Sequence, residues 1–575
     1  MFSELILEQC EEALTQTQII CFSSQIKART HIQRALTVLG AICRHHETPF
    51  EDAESDDEDA EPTGPVQLTW TNLPALCERL FTKFLEKSHV ETKCSALRAL
   101  SGMFVAHPRE LFAMDQSGLI TKVMSAESHP SLQLESLRCW RDILLAEEGR
   151  IESGEAKAKM DANKGITLAK KIAGDQDGDA TLFGGVLTSH ASRLFEMTQC
   201  RDKNLRFAAL DLVGHLLRQG QVNPNEAVPF LLALQGDVDE DDIRSLALKL
   251  LMIEGEKRPD MLRQRVCAGV KQAYVFQSIV YPDKPEVSAL VRVVSHGNAS
   301  FECVFGSMFR ECIISITKQR HGLFRNLLGL YNMKDRAGSL ETKTSKSKSS
   351  MNKMGAVELP LLSFAAQVLA HLPYNVASDP LYIIHHISST VALQGADLLD
   401  RLSSLLRPHG LSSSDEYDES NTGEDDLERA ATRKIPTHAK EATPLLQPNF
   451  DAKGFAELCG EAASITILLR LKTFLRRAYN LTESRILGYD PEAKERIADK
   501  VSVKSSSLIF QSSIPMKTFS SDAKDIVMDA LILQYSEFRK LMRAEAITET
   551  RYSGSEDEQT PSKNKRNRSA EDDED

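Results

Sequence analysis

The sequence predicts an all-α fold, a solenoid of stacked antiparallel helix pairs of the HEAT-repeat kind with disordered acidic insertions and tail. Three observations predict it. The first is a spacing that occurs twice between Asp202 and Tyr281: Leu205, Ala209, Leu212 and Val213 recur as Ile243, Ala247, Leu250 and Leu251, an offset of 38 residues. That period is too long for a heptad and suits a helix pair. Each copy also has an acid three residues before its first apolar position (Asp202, Glu240) and an arginine just after it (Arg206, Arg244). The second observation is composition, since aromatics are 6% of the 575 residues and Leu and Ala carry the apolar load, which favours close-packed helices over a β-sandwich. The third is that further copies lie at matching intervals. Counted at the small central residue they sit at Ala35, Ala96, Ser136, Ala209 and Ala247, with gaps of 61, 40, 73 and 38. The two long gaps contain a run of acids and a Lys/Gly/Asp-rich stretch, so the array is regular once its insertions are subtracted.

Taken in order, residues 1–50 read as first helices, the second carrying a degenerate repeat on His31, Ala35, Val38, Leu39 and Ile42. A solenoid's free end needs a polar capping repeat and none is visible here, so either the first helices are unusually soluble or the chain is expected to be the tail of something longer. Residues 51–66 form an acidic loop too charged to pack, ending at Pro62-Thr-Gly-Pro65. Residues 67–146 hold HEAT-like repeats, with helices over Thr71–Lys87 and Glu91–His107, the second closed by Pro108. Residues 147–180 are read as an insertion. Residues 181–341 continue the repeats, through helices over Met261–Tyr281 and Ser300–Tyr331, the latter with a break expected at Gly322. A Lys/Ser linker (342–356), a helical repeat (357–407), an acidic linker (408–449), a C-terminal helical unit (450–546) and a disordered tail (547–575) complete the chain.

The net charge of −13 is misleading until it is divided. Acids cluster in Glu51–Glu61, Asp415–Glu428, Glu556–Glu558 and Glu571–Asp575, windows without Lys or Arg, and removing those 24 charges turns −13 into +11. The remainder, read as the folded part, is mildly basic. No run of about 18 apolar residues occurs, so no membrane span is expected, and Met1-Phe-Ser-Glu-Leu-Ile-Leu-Glu lacks the features of a signal peptide. Eleven cysteines are scattered without a Cys-x-x-Cys, and Cys94, Cys139, Cys267 and Cys303 lie in apolar helical faces, which reads as small buried hydrophobes in a reducing compartment.

Chemistry-bearing motifs are weak. Asp175-Gln-Asp177-Gly-Asp179 resembles a calcium loop at a glance, but its Gly is fourth rather than sixth and position twelve is Val186. The pairs His45-His46 and His385-His386 point about 100° apart on a helix and cannot share a metal. Gly184-Gly185 lies outside any phosphate-loop context, and no nucleophile elbow occurs. We expect no enzyme, no cofactor and no metal. Asp202, Arg206, Glu240 and Arg244 read as internal fastening of the repeats, each arginine pairing with the acid near the preceding turn. Two basic clusters are candidates for a DNA or partner surface. Arg470 and Arg477 on one side, and Lys472 and Arg476 on the other, flank an apolar stripe of Ile467, Leu468, Leu471, Phe474, Leu475 and Ala478. Lys318, Arg320, His321 and Arg325 surround the expected break at Gly322. Long basic side chains beside a buried stripe also simply cover it, and neither cluster interleaves exposed aromatics for base stacking.

Several stretches resemble the C-terminal part of the Nipped-B/delangin family of cohesin loaders, the sister chromatid cohesion protein 2 family. They are Arg206-Phe-Ala-Ala-Leu, Asn223-Pro-Asn-Glu-Ala-Val-Pro-Phe-Leu, Ala268-Gly-Val-Lys-Gln-Ala-Tyr274, His371-Leu-Pro-Tyr-Asn, Asp379-Pro-Leu-Tyr-Ile-Ile-His-His386, Leu471-Lys-Thr-Phe-Leu and Leu481-Thr-Glu-Ser-Arg-Ile-Leu-Gly-Tyr489. The resemblance runs in order from about Leu36 to Arg543. The resemblance implies a nuclear, chromatin-bound HEAT-repeat hook that grips the coiled-coil ATPase heads and kleisin of cohesin and stimulates ATP hydrolysis. It also implies clamping of DNA during loading and loop extrusion, in sister chromatid cohesion, DNA repair and gene regulation. Its adaptor partner binds the family's N-terminal region, which is not in this sequence. The alternative is a karyopherin-like transport receptor or a phosphatase-type HEAT scaffold. The acidic segments are expected to be solvating loops. They could also compete with DNA for the basic surface, or gain charge by phosphorylation at Ser55 or Ser555.

Overall fold

A computed structural model describes residues 26–45, 73–107, 111, 114–153, 185–282, 287–295, 298–332, 354–406, 452–491, 508–512, 514 and 528–553. The acidic loop, the Asp175–Asp179 stretch, the acidic linker, and most of the 147–180 insertion and the Lys/Ser linker lie outside the described residues, as do Ser55 and Ser555. The described elements are helical apart from one hairpin, and they form two compact units, Met1–Glu286 and Val287–Asp575. This division falls inside the 181–341 stretch that the sequence reading treats as one block.

The first unit contains α1 (Ile26–His45), α2 (Leu73–Lys87), α3 (Val90–Ala106), α4 (Leu119–Met124), α5 (Pro130–Ser153), α6 (Ala191–Met197), α7 (Lys203–Gln219), α8 (Pro224–Leu234), α9 (Asp241–Lys257) and α10 (Pro259–Val280). The recurring spacing picks out alternate helices. α1, α3, α5, α7 and α9 stack in one row, each on the next, while α2, α4, α6 and α8 pack against the row helices that follow them. Thr92, Ala96, Ala99 and Leu100 on α3, and Leu132, Ser136, Cys139 and Trp140 on α5, are all buried, as are both copies around Ala209 and Ala247. Small residues at these positions let neighbouring helices approach. At the joint of α1 and α3 a Cβ added to Gly40 would lie 2.5 Å from the Ala99 Cα.

The copy on α1 is in register one residue later than expected. Ile32, Leu36, Leu39 and Cys43 are buried, whereas Val38 is 56% exposed. With Ile32, Leu36, Leu39 and Gly40 the spacing matches the other copies, and the close glycine contact takes the place of the fourth apolar side chain. Ion pairs join successive row helices: Arg98 with Glu135 at 2.7 Å, Arg141 with Asp211 at 2.7 Å and Lys203 with Glu240 at 3.2 Å. Each has a cation more than half exposed and contributes only about 0–1 kcal/mol.

Local signals set the helix ends. The Asp202 carboxylate accepts a hydrogen bond from the Asn204 backbone N–H at 2.8 Å and caps α7. Gly220 closes it at φ +72°, a left-handed conformation that glycine adopts without strain. Asn223 caps α8 in the same way, at 3.0 Å to Asn225, with Pro224 at the first helical position.

The second unit begins with an antiparallel hairpin, β1 (Leu290–Ser295) and β2 (Asn298–Cys303), in a register that sets Leu290 opposite Cys303 and Ser295 opposite Asn298. It packs on α12 (Met354–His371), where the Ala289 N–H donates to Gln367 Oε1 at 2.9 Å. This hairpin replaces the start of the helix expected over 300–331. The chain then forms the short helix Gly306–Met308, a π-helical turn Phe309–Ile313, and α11 (Thr317–Gly329). The break is at the extended residue Ile316, which precedes α11, and Gly322 lies inside a continuous helix. α13 (Ser378–Leu406), α14 (Ala452–Ala478), α15 (Glu483–Leu487) and α16 (Met528–Ser553) complete the unit. The last helix runs seven residues past the expected start of the tail at 547.

α14 is the axis of this unit, since α12, α13 and α16 all pack on it. Accordingly Ala462 to Leu469 are buried without interruption. A ring cluster fills the space between α11, α14 and the π turn: Tyr374 lies 6.2 Å from Phe309, 5.5 Å from Phe324 and 5.6 Å from Tyr479. Burial pushes the Tyr374 and Tyr479 phenols well above their usual range, and the Tyr374 hydroxyl donates to the Leu369 carbonyl.

Candidate partner interface

Charged side chains that the sequence marks out sort into two populations, one internal and one outward. Arg206 belongs to the first. It is the fourth residue of α7 and is 3% exposed; its Nε donates to Asp237 Oδ2 at 2.9 Å, and its Nη1 to the carbonyls of Cys200 at 2.9 Å and Arg201 at 2.8 Å. Asp237 is fully buried and also accepts from the Tyr281 hydroxyl at 3.1 Å. Burial pushes its carboxyl upward while Arg206 and Tyr281 pull against it. Arg206 therefore ties the loop before α7 to the turn before α9, with its guanidinium 5.9 Å from the Phe276 ring centre. The expected pairing with the preceding acid is corrected, because Asp202 caps the helix instead. Arg244 does pair with the acid before it, Asp241, which is 81% exposed, and Glu240 goes to Lys203.

Arg320 repeats the Arg206 arrangement in the second unit. It too is the fourth residue of its helix, and it reaches back to the carbonyl six residues earlier, that of Ile314. Its Nε lies 3.1 Å from Asp379 Oδ1, and Asp379 is fully buried. The Arg320 side chain is 9% exposed. Arg320 is thus removed from the expected basic surface by its partner at the start of α13. His321 is partly covered, 3.6 Å from Asp379 and stacked on Tyr382 at 4.0 Å between ring centres. Lys318 is exposed, and so is Arg325, whose Nε and Nη2 donate to the Tyr382 hydroxyl at 3.2 and 3.0 Å. His386 closes the group, 4.4 Å from the Tyr382 ring. Burial first, then Arg325, His385 and His321, pull its imidazole down to about 4.

The cluster on α14 is divided in the same way. Arg470 pairs with Glu537 and Lys472 with Glu545, both on α16, and Lys472 also donates to Ser388 Oγ at 2.7 Å. Their side chains are 20% and 15% exposed. A helix enclosed by three neighbours has its long cations taken by those neighbours, so these two serve as interhelical ties. Arg476 is half exposed and holds Glu483 of α15 at 2.7 Å, while Arg477 is exposed with no acidic partner among the described residues.

Among the described residues no group of His, Cys, Asp or Glu is arranged to hold a metal ion. No described helix is long and apolar enough to cross a membrane. Burial holds Cys139 up at about 12 and Cys267 at about 11, and Cys459 is raised to about 12 by the same cause. These thiols are poor nucleophiles. The candidate interface is a set of outward cations carried by helices of the second unit. Sequence reasoning missed Arg539, Lys540 and Arg543 of α16, all exposed; their i, i+1, i+4 spacing was the available signal.

Comparison with known proteins adds the following. The family described as "Sister chromatid cohesion C-terminus" matches residues 183–390, a span that contains both arginine–aspartate ties. The chain is 22% identical over 560 residues to a Nipped-B-like protein of Mus musculus, covering 90% of this chain and 18% of that protein. It is 24% identical over 372 residues to Nipped-B-like protein A of Danio rerio, covering 64% and 14%. With Nipped-B-like protein scc-2 of Caenorhabditis elegans it shares 23% over 492 residues, covering 82% and 20%. Among solved structures it is similar to the C-terminal fragment of the Chaetomium thermophilum cohesin loader SCC2. The TM-score is 0.57 at 13% identity, over 94% of this chain and 32% of that one, a likeness of fold. The chain spans a fifth or less of the length of these curated relatives.

Proposed function

Since the chain belongs to the Nipped-B cohesin-loader family, matching its C-terminal part, we propose that its outward cations bind DNA while the helical frame engages the cohesin ATPase. The scaffold would then promote loading of cohesin onto chromatin in the nucleus, sister chromatid cohesion and loop extrusion. In this reading the protein stimulates the ATPase of cohesin and performs no catalysis of its own. The observation that carries the DNA reading is what remains once the buried pairs are subtracted: Lys318, Arg325 and Arg477 reach solvent, as does Arg476, half exposed beside its partner Glu483. Arg320, Arg470 and Lys472 support the frame beneath them, and His321 orients Tyr382 under Arg325.

Phosphate neutralisation releases counterions, so the affinity for duplex DNA falls steeply with salt, with a log–log slope of about 0.9 per phosphate contacted. Changing Lys318, Arg325, Arg476 and Arg477 together to Glu should lower that slope by up to about 4 and abolish any stimulation of cohesin's ATP hydrolysis that depends on DNA. Fluorescence anisotropy across a salt series reads the slope. An unchanged slope excludes these four as the DNA surface, and stimulation retained in full by the variant separates ATPase engagement from DNA.

A further inference from the structure

The final helix carries a second, separate surface. Between Leu533 and Ile547, about 21 Å of α16, the exposed charged residues are Arg539, Lys540 and Arg543, and none of the three has an acidic partner among the described residues. The two acids in that stretch, Glu537 and Glu545, are turned inward to Arg470 and Lys472 of α14. Asp529, exposed in the first turn, is about 15 Å along the axis from Arg539. The α14 cations thus do more than tie helices together. By holding both glutamates against α14 they strip the outer face of α16 of negative charge. That face also carries an exposed leucine at one end, Leu533 at 68%, and an exposed isoleucine at the other, Ile547 at 54%.

From this charge sorting we propose that the outer face of α16 docks an acidic, amphipathic segment of a partner protein. Its carboxylates would meet Arg539, Lys540 and Arg543, and an apolar side chain would cover Leu533. Complementarity of charge commits the occupant to an acidic one. The exposed leucine favours a protein over a nucleic acid, because a phosphate backbone offers nothing to bury it, whereas an amphipathic helix presents apolar and acidic residues at matching spacing. The residues differ from those of the DNA reading, so the two stand or fall separately.

The probe is a fluorescein-labelled peptide of about 20 residues with leucines at i, i+4 and i+7 flanked by glutamates, and a short duplex DNA is run in parallel against the full chain. Charge reversal at three exposed sites leaves the core untouched, and melting curves confirm folding. The variant Arg539→Glu/Lys540→Glu/Arg543→Glu should bind the peptide at least about tenfold more weakly, and Leu533→Asp about fivefold more weakly. Arg470→Met/Lys472→Met removes no cation from the outer face yet frees both glutamates, so it too should weaken the peptide. Adding Glu537→Gln/Glu545→Gln to that pair should restore binding, an outcome that a purely structural role for the ties would not give. Absence of peptide binding, or peptide binding unaffected by the triple reversal, overturns the proposal. Loss of DNA rather than peptide in the triple variant overturns it in favour of a nucleic-acid surface. If Arg470→Met/Lys472→Met binds as wild type, the charge-sorting argument fails.

Discussion

Replacing Arg206 with Met keeps most of the side-chain volume and removes the charge. Asp237, fully buried, then loses its cationic partner, and the carbonyls of Cys200 and Arg201 lose a donor that lies 2.9 and 2.8 Å away. Breaking one side of a buried pair costs about 3–5 kcal/mol, chiefly because the other charge is left without compensation. Removing the partner as well, in Arg206→Met/Asp237→Leu, should recover at least about 2 kcal/mol of that loss. The recovery stays incomplete because the two carbonyls still lack the Arg206 donor and the Tyr281 hydroxyl, which keeps the Val238 N–H as its donor at 3.0 Å, loses Asp237 as acceptor. Arg244→Met is the control. It occupies the same place in the sequence repeat, but its acid is 81% exposed, so the loss should be under about 0.5 kcal/mol. Urea unfolding followed by far-ultraviolet circular dichroism measures all three variants. A loss below about 1 kcal/mol for Arg206→Met, or equal losses at 206 and 244, would refute the assignment of Arg206 as a buried tie.

Gly40→Ala places a Cβ 2.5 Å from the Ala99 Cα, which forces α1 away from α3 and should cost about 1–3 kcal/mol, read as a lowered melting temperature; an unchanged melt would mean that this joint is not close-packed. His386, pulled down to about 4 from 6.5, is neutral in the folded chain where the unfolded chain binds a proton. Its contribution is present above pH 6.5 and is lost as pH falls towards 4, so His386→Gln should flatten the decline in stability across that window, and equal wild-type and variant slopes in pH-dependent melts would remove the assignment.

The row of stacked helices was legible because one spacing serves one physical purpose throughout. Leu205, Ala209, Leu212 and Val213 are all buried, and four apolar or small residues at that interval have little use except to face a neighbouring helix. The α1 copy was misread by one residue because Gly40 fills the fourth position with a close backbone approach, which a search for apolar side chains does not register. The hairpin escaped because Leu290-Val-Arg-Val-Val is short and stands among helices, and a brief apolar run is ambiguous between strand and helix until its partner is known. Its partner strand, Asn298–Cys303, was absorbed into an expected helix for the same reason.

The basic clusters could not be sorted from sequence into inward and outward members, because a cation's role depends on whether an acid from a distant helix reaches it. Arg320 finds Asp379 across 59 residues and Arg470 finds Glu537 across 67; neither pairing follows any local period. Burial makes the consequence asymmetric. A cation on a half-exposed helix such as α11 is captured only where it points inward, which separates Arg320 from Lys318 two residues away. A cation on the enclosed α14 is captured almost wherever it points, until the helix emerges at its end, where Arg476 is half exposed beside Glu483 and Arg477 has no acidic partner among the described residues. Positive charge that reaches solvent in this second unit therefore lies on α11 at Lys318 and Arg325, at the end of α14 and on the outer face of α16, and binding surfaces are to be sought at those three places.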